Sequence, residues 1–316
     1  MRLFNRLKQS LFFRQRGLRF QVLKKYSGYI RHSAEGLLRN SHLRIQDSSD
    51  FTIACLVGKK QLTDLLFTLI SFERATGSIG NLTVLSDGSL DNNDVKFLSK
   101  WHRNCRVFLD PVDLCQFYRF EPHLTLAEFY KAHYLAPKIF LLNAVQSQDN
   151  CILLDSDVIF FRNPFESNSS LVKLMKERKC FCLEDEWESD DPRIISEGQK
   201  NGLTISKRIN TGLVYVYKSA FDSIDWRKHI PSACISEPHV FTEQSLIAAG
   251  LEVAGYSFLP KSEFLVSLKG VAFPKEDHPP FKDIDEPYEN LFCRHFVSPV
   301  RYLMWLKAFP LLKDKL

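Results

Sequence analysis

From residue 51 onward, the hydrophobic positions of the chain follow two alternating patterns. Short continuous apolar runs, which are typical of strands buried on both faces of a sheet, occupy residues 51–57, 82–85, 105–109 and 152–154. Between these runs, apolar residues recur at helical spacing, as they do in the stretch that ends at Gly77. Strands that alternate with helices predict right-handed βαβ units. We therefore expect an α/β fold with a mainly parallel sheet flanked by helices.

The second half of the chain carries weaker signals of the same kind. A capping-box pattern beginning at Thr125 predicts the start of the helix that leads to the 152–154 strand. Further strands are predicted at 180–183 and 208–217, and Thr242 is the expected N-cap of a later helix. The stretch 261–290 is rich in proline and acids, which predicts a surface loop.

The first 45 residues differ from the rest in charge. They contain eleven Lys or Arg and one acid, Glu35, which gives this segment a charge of about +10. Because the net charge of the whole chain is +5, the remaining residues carry a charge of about −5. Leu3, Leu7 and Leu11 have helical spacing, which predicts a basic amphipathic extension over residues 1–45. Such a helix suits an anionic membrane surface, and the alternative is a helix packed on the body with its basic face in water.

Other functions for residues 1–45 fit the sequence less well. It is too charged to cross a bilayer, and it lacks the apolar core and cleavage site of a signal peptide. No nucleic-acid module accompanies the charge, so we expect no nucleic-acid partner. The eight cysteines form no Cys-x-x-Cys pair and no second pair at zinc spacing. Reduced thiols predict a cytoplasmic protein, peripheral on the membrane if the basic helix binds there.

Two acids follow the 152–154 strand directly. Asp155 and Asp157 stand between apolar residues, where charged carboxylates without partners would cost several kcal/mol, roughly. Residues i and i+2 of an extended chain point the same way, so both acids can face one cation. Hard oxygen ligands suit Mg²⁺ or Mn²⁺, which usually also contact phosphate oxygens. The plain alternative is a turn with two solvated aspartates.

Other chemically suggestive residues also stand at strand ends. Gly58 follows the first predicted strand and Asp87 follows the second, as the acid pair follows the fourth. Ligands of parallel sheets bind beyond the carboxyl ends of the strands. We therefore expect these positions to share one site.

The acid pair and its apolar flanks resemble the Asp-x-Asp motif of metal-dependent GT-A glycosyltransferases, and further matches point to the retaining, family 8-like type. Near the C-terminus, His295 and Arg301 have the spacing of that family's His-x-x-Gly-x-x-Lys motif, with Ser298 and Arg301 in place of Gly and Lys. The resemblance implies that Asp155, Asp157 and His295 hold Mn²⁺ or Mg²⁺ and that Arg301 binds the diphosphate. Arginine can do so bidentately.

Other matches concern the sugar. Asn210 and Gly212 resemble the family's Asn-x-Gly segment, which holds hydroxyls of the donor sugar, and Asp185 in the preceding acidic loop joins the donor-binding candidates. Glu243-Gln244 stands where the family commonly has Asp-Gln. The resemblance implies that Glu243 bonds sugar hydroxyls and that Gln244 lies near the anomeric carbon. The plain alternative for Glu243 is favourable pairing with the helix dipole.

The helix before the acid pair should supply a cation for the donor phosphates, if the resemblance holds. Lys131, His133 and Lys138 are the candidates, and His133 stands where the family commonly has Arg. We take Lys138 as the donor-binding candidate. For any one of the three, a solvated helix face is the plain alternative.

Together these matches imply a single GT-A domain over residues 50–316, with a Rossmann-like sheet. The implied reaction moves a sugar from a nucleotide diphosphate, a UDP-sugar by expectation, to a glycan or glycolipid hydroxyl with retention, in cell-surface glycan or glycolipid synthesis. A haloacid-dehalogenase-type phosphatase is the rival enzyme, with Asp155 as nucleophile and Asp157 as acid, but Ile159 fits that motif poorly. A non-catalytic, membrane-associated scaffold is the third hypothesis.

Overall fold

A seven-stranded sheet lies at the centre of the molecule, in a computed structural model that describes residues 2–47, 49–132, 136–237, 239–267 and 288–312. In the first helix, side chains are described from residue 21 onward. The strands are β1 Thr52–Val57, β2 Asn81–Ser86, β3 Cys105–Phe108, β4 Cys151–Leu154, β5 Val158–Phe160, β6 Cys180–Glu184, β7 Ile209–Val216, β8 Tyr256–Phe258, β9 Phe264–Val266 and β10 Cys293–His295.

Strand direction in the large sheet is nearly uniform. The order is β3-β2-β1-β4-β7-β6-β8, and β7 pairs antiparallel with both of its neighbours, while the other neighbouring pairs are parallel. Six strands therefore run one way and β7 runs against them. The predicted mainly parallel α/β sheet is confirmed. The reversal means that the start of β7 lies at the edge where β4 ends.

Helices cover both faces of this sheet. They are α1 Arg2–Asn40, α2 Leu62–Thr76, α3 Asn92–Trp101, α4 Pro111–Tyr118, α5 Leu124–Ala132, α6 Ala136–Gln146, α7 Ser170–Lys176, α8 Pro192–Lys200, α9 Ser232–Ser236, α10 Thr242–Ala254 and α11 Arg301–Leu312. One core cluster joins the sheet to α2, α11 and the end of α1, and a second joins its other face to α4, α6 and α10. Both faces of the central strands are thus buried, which explains their continuous apolar sequences.

The apolar run after Asp157 does not continue β4. It forms β5, which belongs to a separate three-stranded sheet of order β5-β10-β9. β10 pairs antiparallel with β5 and places His295 opposite Val158. This small sheet therefore brings the C-terminal part of the chain to the residue that follows Asp157.

Three local predictions differ from the structure. α5 begins at Leu124, and the N–H of Thr125 donates to Nδ1 of His123, so the predicted Thr125 cap is wrong. Thr242 is the first residue of α10 and donates its hydroxyl to Asp191 at 2.6 Å, so it is not the N-cap. Within the predicted 261–290 loop, β9 is a strand, and residues 268–287 lie outside the described ranges. The partner of Thr242 is 51 positions away, which local propensity does not register, whereas Thr125 is displaced by a side chain only two residues before it.

The N-terminal extension is helical, as predicted, and its last turns pack on the body. Ala34 and Leu38 are buried in the first core cluster, and the Trp101 indole N–H donates to the Leu38 carbonyl at 3.1 Å. Arg31 forms an ion pair with the buried Asp64 of α2 at 2.9 Å. Within the described ranges, no helix combines the length and the apolar character needed to cross a bilayer.

His102, at the end of α3, provides a test of the fold. Its ring is fully buried, Nδ1 accepts from the N–H of Asn104, and Nε2 has no hydrogen-bond partner among the described residues. Burial lowers the pKa of His102 to about 4. Between about pH 6.5 and 4, His102 is therefore protonated in the unfolded chain but neutral in the folded chain. The free energy of unfolding consequently falls as the pH falls through that range.

Urea unfolding at several pH values measures this effect. Between pH 7 and 4, we expect the wild-type protein to lose about 2–3 kcal/mol more than the non-titrating variant His102→Gln. If the free energy of unfolding changed with pH by the same amount in both proteins, His102 would not be held neutral in the folded state.

Candidate active site

The acid pair lies in a tight turn at the carboxyl end of β4. The N–H of Asp155 donates to the carbonyl of Gly212 in β7 at 2.9 Å, and the carbonyl of Asp157 accepts from the N–H of Phe296 at 2.8 Å. The turn is therefore anchored to both sheets. The residues are not in the extended conformation that the i, i+2 argument assumed, yet their carboxylates still meet.

Asp155, Asp157 and His295 form a three-residue cluster, which we call the acid–imidazole cluster. Nε2 of His295 lies 3.0 Å from Oδ1 of Asp157 and 3.7 Å from Oδ2 of Asp155. One ligand atom from each residue falls within a 4.8 Å span. Ligand atoms bound about 2.1 Å from one Mg²⁺ or Mn²⁺ are separated by about 3 Å, so this spacing and this donor set fit such an ion.

The orientation of the His295 ring is set by its other nitrogen. Nδ1 lies 2.8 Å from Oδ1 of Asn210, an acceptor, so Nδ1 carries the proton and Nε2 faces the acids. Burial disfavours a charged imidazole, but Asp157 and then Asp155 outweigh it and raise the pKa of His295. Nε2 is the nitrogen that faces the acids, so it is the atom that would bind either a proton or an ion.

Gly212 allows the ring to lie against β7. A Cβ at this position would fall 2.2 Å from Nδ1 of His295, closer than any real contact. Its carbonyl meanwhile accepts from Asp155, and its N–H donates to Oδ1 of Asn210 at 3.0 Å. The resemblance implied that this segment contacts hydroxyls of the donor sugar, and the structure shows that Gly212 lies against the imidazole of His295.

Each acid of the cluster also has a cation. Nζ of Lys138, buried in α6, lies 2.7 Å from Oδ1 of Asp155 and donates to the hydroxyl of Thr211 at 3.0 Å. Arg301 donates to Oδ2 of Asp157 through Nε at 2.8 Å and through Nη2. Burial opposes the charge on Asp157, but His295 and Arg301 together lower its pKa to about 2.

Burial also disfavours the charge on Lys138, but Asp155 and then Glu243 outweigh it and raise its pKa. Lys138 therefore stays charged at neutral pH. Thr211 had no assigned role in the sequence, although it is the middle residue of Asn-x-Gly.

Glu243 lies in the first turn of α10, and one of its carboxylate oxygens accepts no hydrogen bond from the described residues. It is 3% exposed, and Oε1 has no partner among the described residues. Burial raises the pKa of Glu243 to about 7, with Lys138 acting against the shift and Asp155 adding to it. A buried acid that is only half ionised at neutral pH and lacks a partner is a candidate ligand contact.

Gln244 belongs to a hydrogen-bond chain that ends at the cluster. Its Nε2 donates to the carbonyl and hydroxyl oxygens of Ser189 at 2.9 and 2.7 Å, and that hydroxyl donates to Oδ2 of Asp185. Oδ1 of Asp185 accepts from Asn210 at 2.9 Å, and Asn210 in turn holds His295. Sequence reasoning missed Ser189, since nothing in the acidic loop distinguishes it.

Gly58 and Asp87 lie together at the same sheet edge, after β1 and β2. A Cβ on Gly58 would fall 2.0 Å from Oδ2 of Asp87, so only glycine allows this approach. Asp87 is exposed, and Oδ1 accepts from Ser89. Among the described residues, no hydrogen bond joins Gly58 or Asp87 to the acid–imidazole cluster. Lys131 is exposed on α5, and His133 lies outside the described residues.

Known proteins resemble this chain in structure but not in sequence. No protein-family model and no curated protein sequence matches the chain. Among solved structures, it is similar to the apo bifunctional glycosyltransferase WbbM, with 10% identity, a TM-score of 0.47, and coverage of 85% of this chain and 50% of that one. The chain thus spans half the length of WbbM.

Two other similar structures are matched over nearly their whole length. The galactosyltransferase LgtC, solved with donor and acceptor sugar analogues, has 16% identity, a TM-score of 0.46, and coverage of 84% of this chain and 96% of that one. Mouse xyloside xylosyltransferase 1 has 12% identity, a TM-score of 0.46, and coverage of 80% and 99%. These likenesses are partial, and the chemistry of the site rests on its own residues.

Gly212→Ala tests the close approach of β7 to the imidazole. The added methyl group must displace the His295 ring, so we expect Mn²⁺ affinity to fall about 10- to 100-fold and the free energy of unfolding to fall by about 1–3 kcal/mol. Calorimetric Mn²⁺ titration and urea unfolding measure the two effects. Gly36→Ala, on α1 where a Cβ meets nothing within 4 Å, is the control. Unchanged Mn²⁺ affinity in Gly212→Ala would argue against His295 as a ligand.

Proposed function

We propose that this chain is a GT-A-type glycosyltransferase that moves a sugar from a nucleotide diphosphate to an acceptor hydroxyl with the help of Mn²⁺ or Mg²⁺. The observation that carries the proposal is the acid–imidazole cluster, placed at the carboxyl end of a buried parallel strand with Lys138 and Arg301 beside it. Ligands of such sheets bind at this edge. Asp155, Asp157 and His295 would hold the ion there, and the ion would supply positive charge to phosphate oxygens.

The barrier to this reaction lies mainly in the charge that develops on the departing diphosphate. A bound ion would supply positive charge at that point. Arg301 supports the same role from the protein, because its guanidinium is partly exposed while it holds Asp157, and its planar fork matches phosphate oxygens. Lys138 fixes Asp155 from the buried side. Preorganised charges of this kind contribute without reorganising during the reaction.

The other end of the site suits a sugar. The unpartnered Oε1 of Glu243 can bond a sugar hydroxyl, either accepting or donating, because its pKa is raised to about 7. The Nε2 of Gln244 is engaged by Ser189, which leaves Oε1 to face the anomeric carbon. We extend the proposal to a UDP-sugar donor, a family 8-like mechanism and retention of configuration, with Asn210 contributing an amide contact and Gly212 making room for the ring of His295.

The rival enzyme hypothesis is less well supported by these contacts. A phosphatase of the haloacid-dehalogenase type would need Asp155 as a free nucleophile, whereas Oδ1 of Asp155 pairs with Lys138 and Oδ2 faces His295. A purely structural scaffold would have no need to bury Asp157, His295 and Lys138 beside the half-buried Asp155, an arrangement that costs desolvation energy.

The acceptor and the place of action belong to the proposal as well. Residues 1–45 carry the excess of basic residues, and Val22, Tyr26 and Tyr29 of α1 present exposed apolar surface. This combination supports peripheral binding of α1 to an anionic membrane on the cytoplasmic side, and an acceptor that is a glycolipid or a cell-surface glycan precursor.

Asp155→Asn is the direct test of metal-assisted transfer. The variant keeps the shape of the side chain but removes one ligand charge, so we expect Mn²⁺-dependent release of nucleotide diphosphate from a panel of nucleotide-sugars to fall at least about 100-fold. The control is Asp149→Asn, whose carboxylate accepts from Thr52 just before β4 begins. A folded Asp155→Asn protein with wild-type turnover would refute the role of the metal.

Membrane binding is tested by sedimentation with vesicles. We expect binding to phosphatidylserine vesicles and not to pure phosphatidylcholine. Because each basic residue near an anionic surface contributes about 1 kcal/mol, changing four of them to Gln should weaken binding at least about 100-fold. The residues to change are Arg2, Arg6, Lys8 and Arg14. A control variant changes four body lysines, Lys96, Lys100, Lys131 and Lys200. Equal binding to both vesicle types would contradict the proposal.

A further inference from the structure

A second cavity opens at the edge of the large sheet opposite the candidate active site. It has a volume of about 710 Å³, within the roughly 300–1,000 Å³ of small-molecule sites. We call it the amino-edge cavity, because it lies where β1 and β4 begin and β7 ends. Its lining residues include Gln46, Asp50, Phe51, Asn163, Phe165 and Tyr215.

The cavity is separate from the acid–imidazole cluster. Asn150 lines it and immediately precedes β4, whereas Asp155 follows the other end of that strand. At about 3.3 Å per residue, the five steps between them amount to about 17 Å. A ligand in the amino-edge cavity therefore cannot be the donor at the metal site.

Aromatic rings form one wall of the cavity. Phe51 and Phe165 stack with centroids 5.2 Å apart and an interplanar angle of 22°, and Phe72 meets Phe165 edge-on at 6.0 Å. Phe51 and Phe165 are only half-buried, so part of each ring borders the cavity. The negative face of an aromatic ring attracts polarised C–H groups, and one face of a pyranose ring presents several of them.

Tyr215 of β7 is the most buried polar residue that lines the cavity. It is 3% exposed, its ring stacks on Phe181, and its hydroxyl forms no hydrogen bond with any described residue. Burial, assisted by Cys180 and Asp149, raises the pKa of Tyr215 to about 12, so the hydroxyl remains a donor. The hydroxyl is therefore available to bond a ligand hydroxyl in the cavity.

The rim of the cavity offers both donors and an acceptor. Oδ1 of Asn163 accepts from the N–H of Phe165 at 2.9 Å, and Oε1 of Gln46 accepts from Ser78 at 3.2 Å. These bonds orient both amides and leave their NH₂ groups without partners among the described residues. The exposed carboxylate of Asp50 likewise has no hydrogen bond within the described ranges. Sugar hydroxyls both donate and accept, so they match such a set.

We propose that the amino-edge cavity binds one or two pyranose units of a neutral glycan, with the ring face against Phe51 and Phe165 and a hydroxyl bonded to Tyr215. The mixture of aromatic and polar lining residues suits a sugar, which has both apolar faces and hydroxyls. Asp50 and Lys176, which also lines the cavity, balance each other in charge and favour a neutral ligand. This binding site does not depend on the transfer chemistry proposed above.

The test uses the full chain in EDTA, with neutral di- and trisaccharides of glucose, galactose, mannose and N-acetylglucosamine as probes. Saturation-transfer NMR should detect binding of at least one of them, and calorimetry should give its dissociation constant. We expect Tyr215→Phe, which keeps the ring, and Asn163→Asp, which keeps the Oδ1 acceptor, each to weaken binding about tenfold. Asp155→Asn should bind as the wild-type protein does.

Two controls separate binding from folding. Tyr215→Phe removes an unpaired hydroxyl, so its free energy of unfolding should not fall, and lost binding cannot come from unfolding. Tyr118→Phe removes a buried hydroxyl that bonds Thr83, away from the cavity, and should leave binding unchanged. The proposal is overturned if no probe binds, or if binding survives Tyr215→Phe and disappears in Asp155→Asn.

Discussion

The buried contact between His295 and Asp157 is the interaction on which the candidate site depends. It joins residues 138 positions apart, and it exists because β10 pairs with β5 directly after the acid turn. Removing Asp157 would leave both His295 and Arg301 without the carboxylate that they contact, and loss of the partner of a buried charge is among the most destabilising changes in a protein core. The surrounding contacts serve this pair: Gly212 leaves room for the ring, Asn210 fixes its tautomer, and Arg301 holds the second oxygen of Asp157.

Charge in the site is arranged in alternation. Lys138, Asp155, His295, Asp157 and Arg301 contact one another in that order, so each acid lies between two cationic or proton-binding groups. In a buried setting such a row is stable only when every charge has a neighbour of opposite sign. A divalent ion replacing the proton on the imidazole would keep that alternation. It would also direct the surplus positive charge outward, to the place where a diphosphate would leave.

The single reversed strand gives the sheet two different functional edges. β7 begins beside Asp155, where Asn210, Thr211 and Gly212 contact the cluster, and it ends beside the amino-edge cavity, where Tyr215 has its unpartnered hydroxyl. Strand β4 covers the same distance in the opposite direction, from Asn150 to Asp155. One pair of buried strands therefore connects two polar sites that share no residue, and rigid central strands position both.

The sequence by itself determined the α/β architecture, the end of β4 as the place of the acid pair, and the helical N-terminal extension. Each depends on local periodicity or on the cost of charge beside apolar residues. Only the tertiary structure decided that the run after Asp157 leaves β4 for a second sheet, that Thr242 is not a cap, and that Gly212 accommodates an imidazole. The roles of Ser189 and Tyr215 likewise depend on contacts between segments far apart in the chain, and such contacts leave no mark on local spacing.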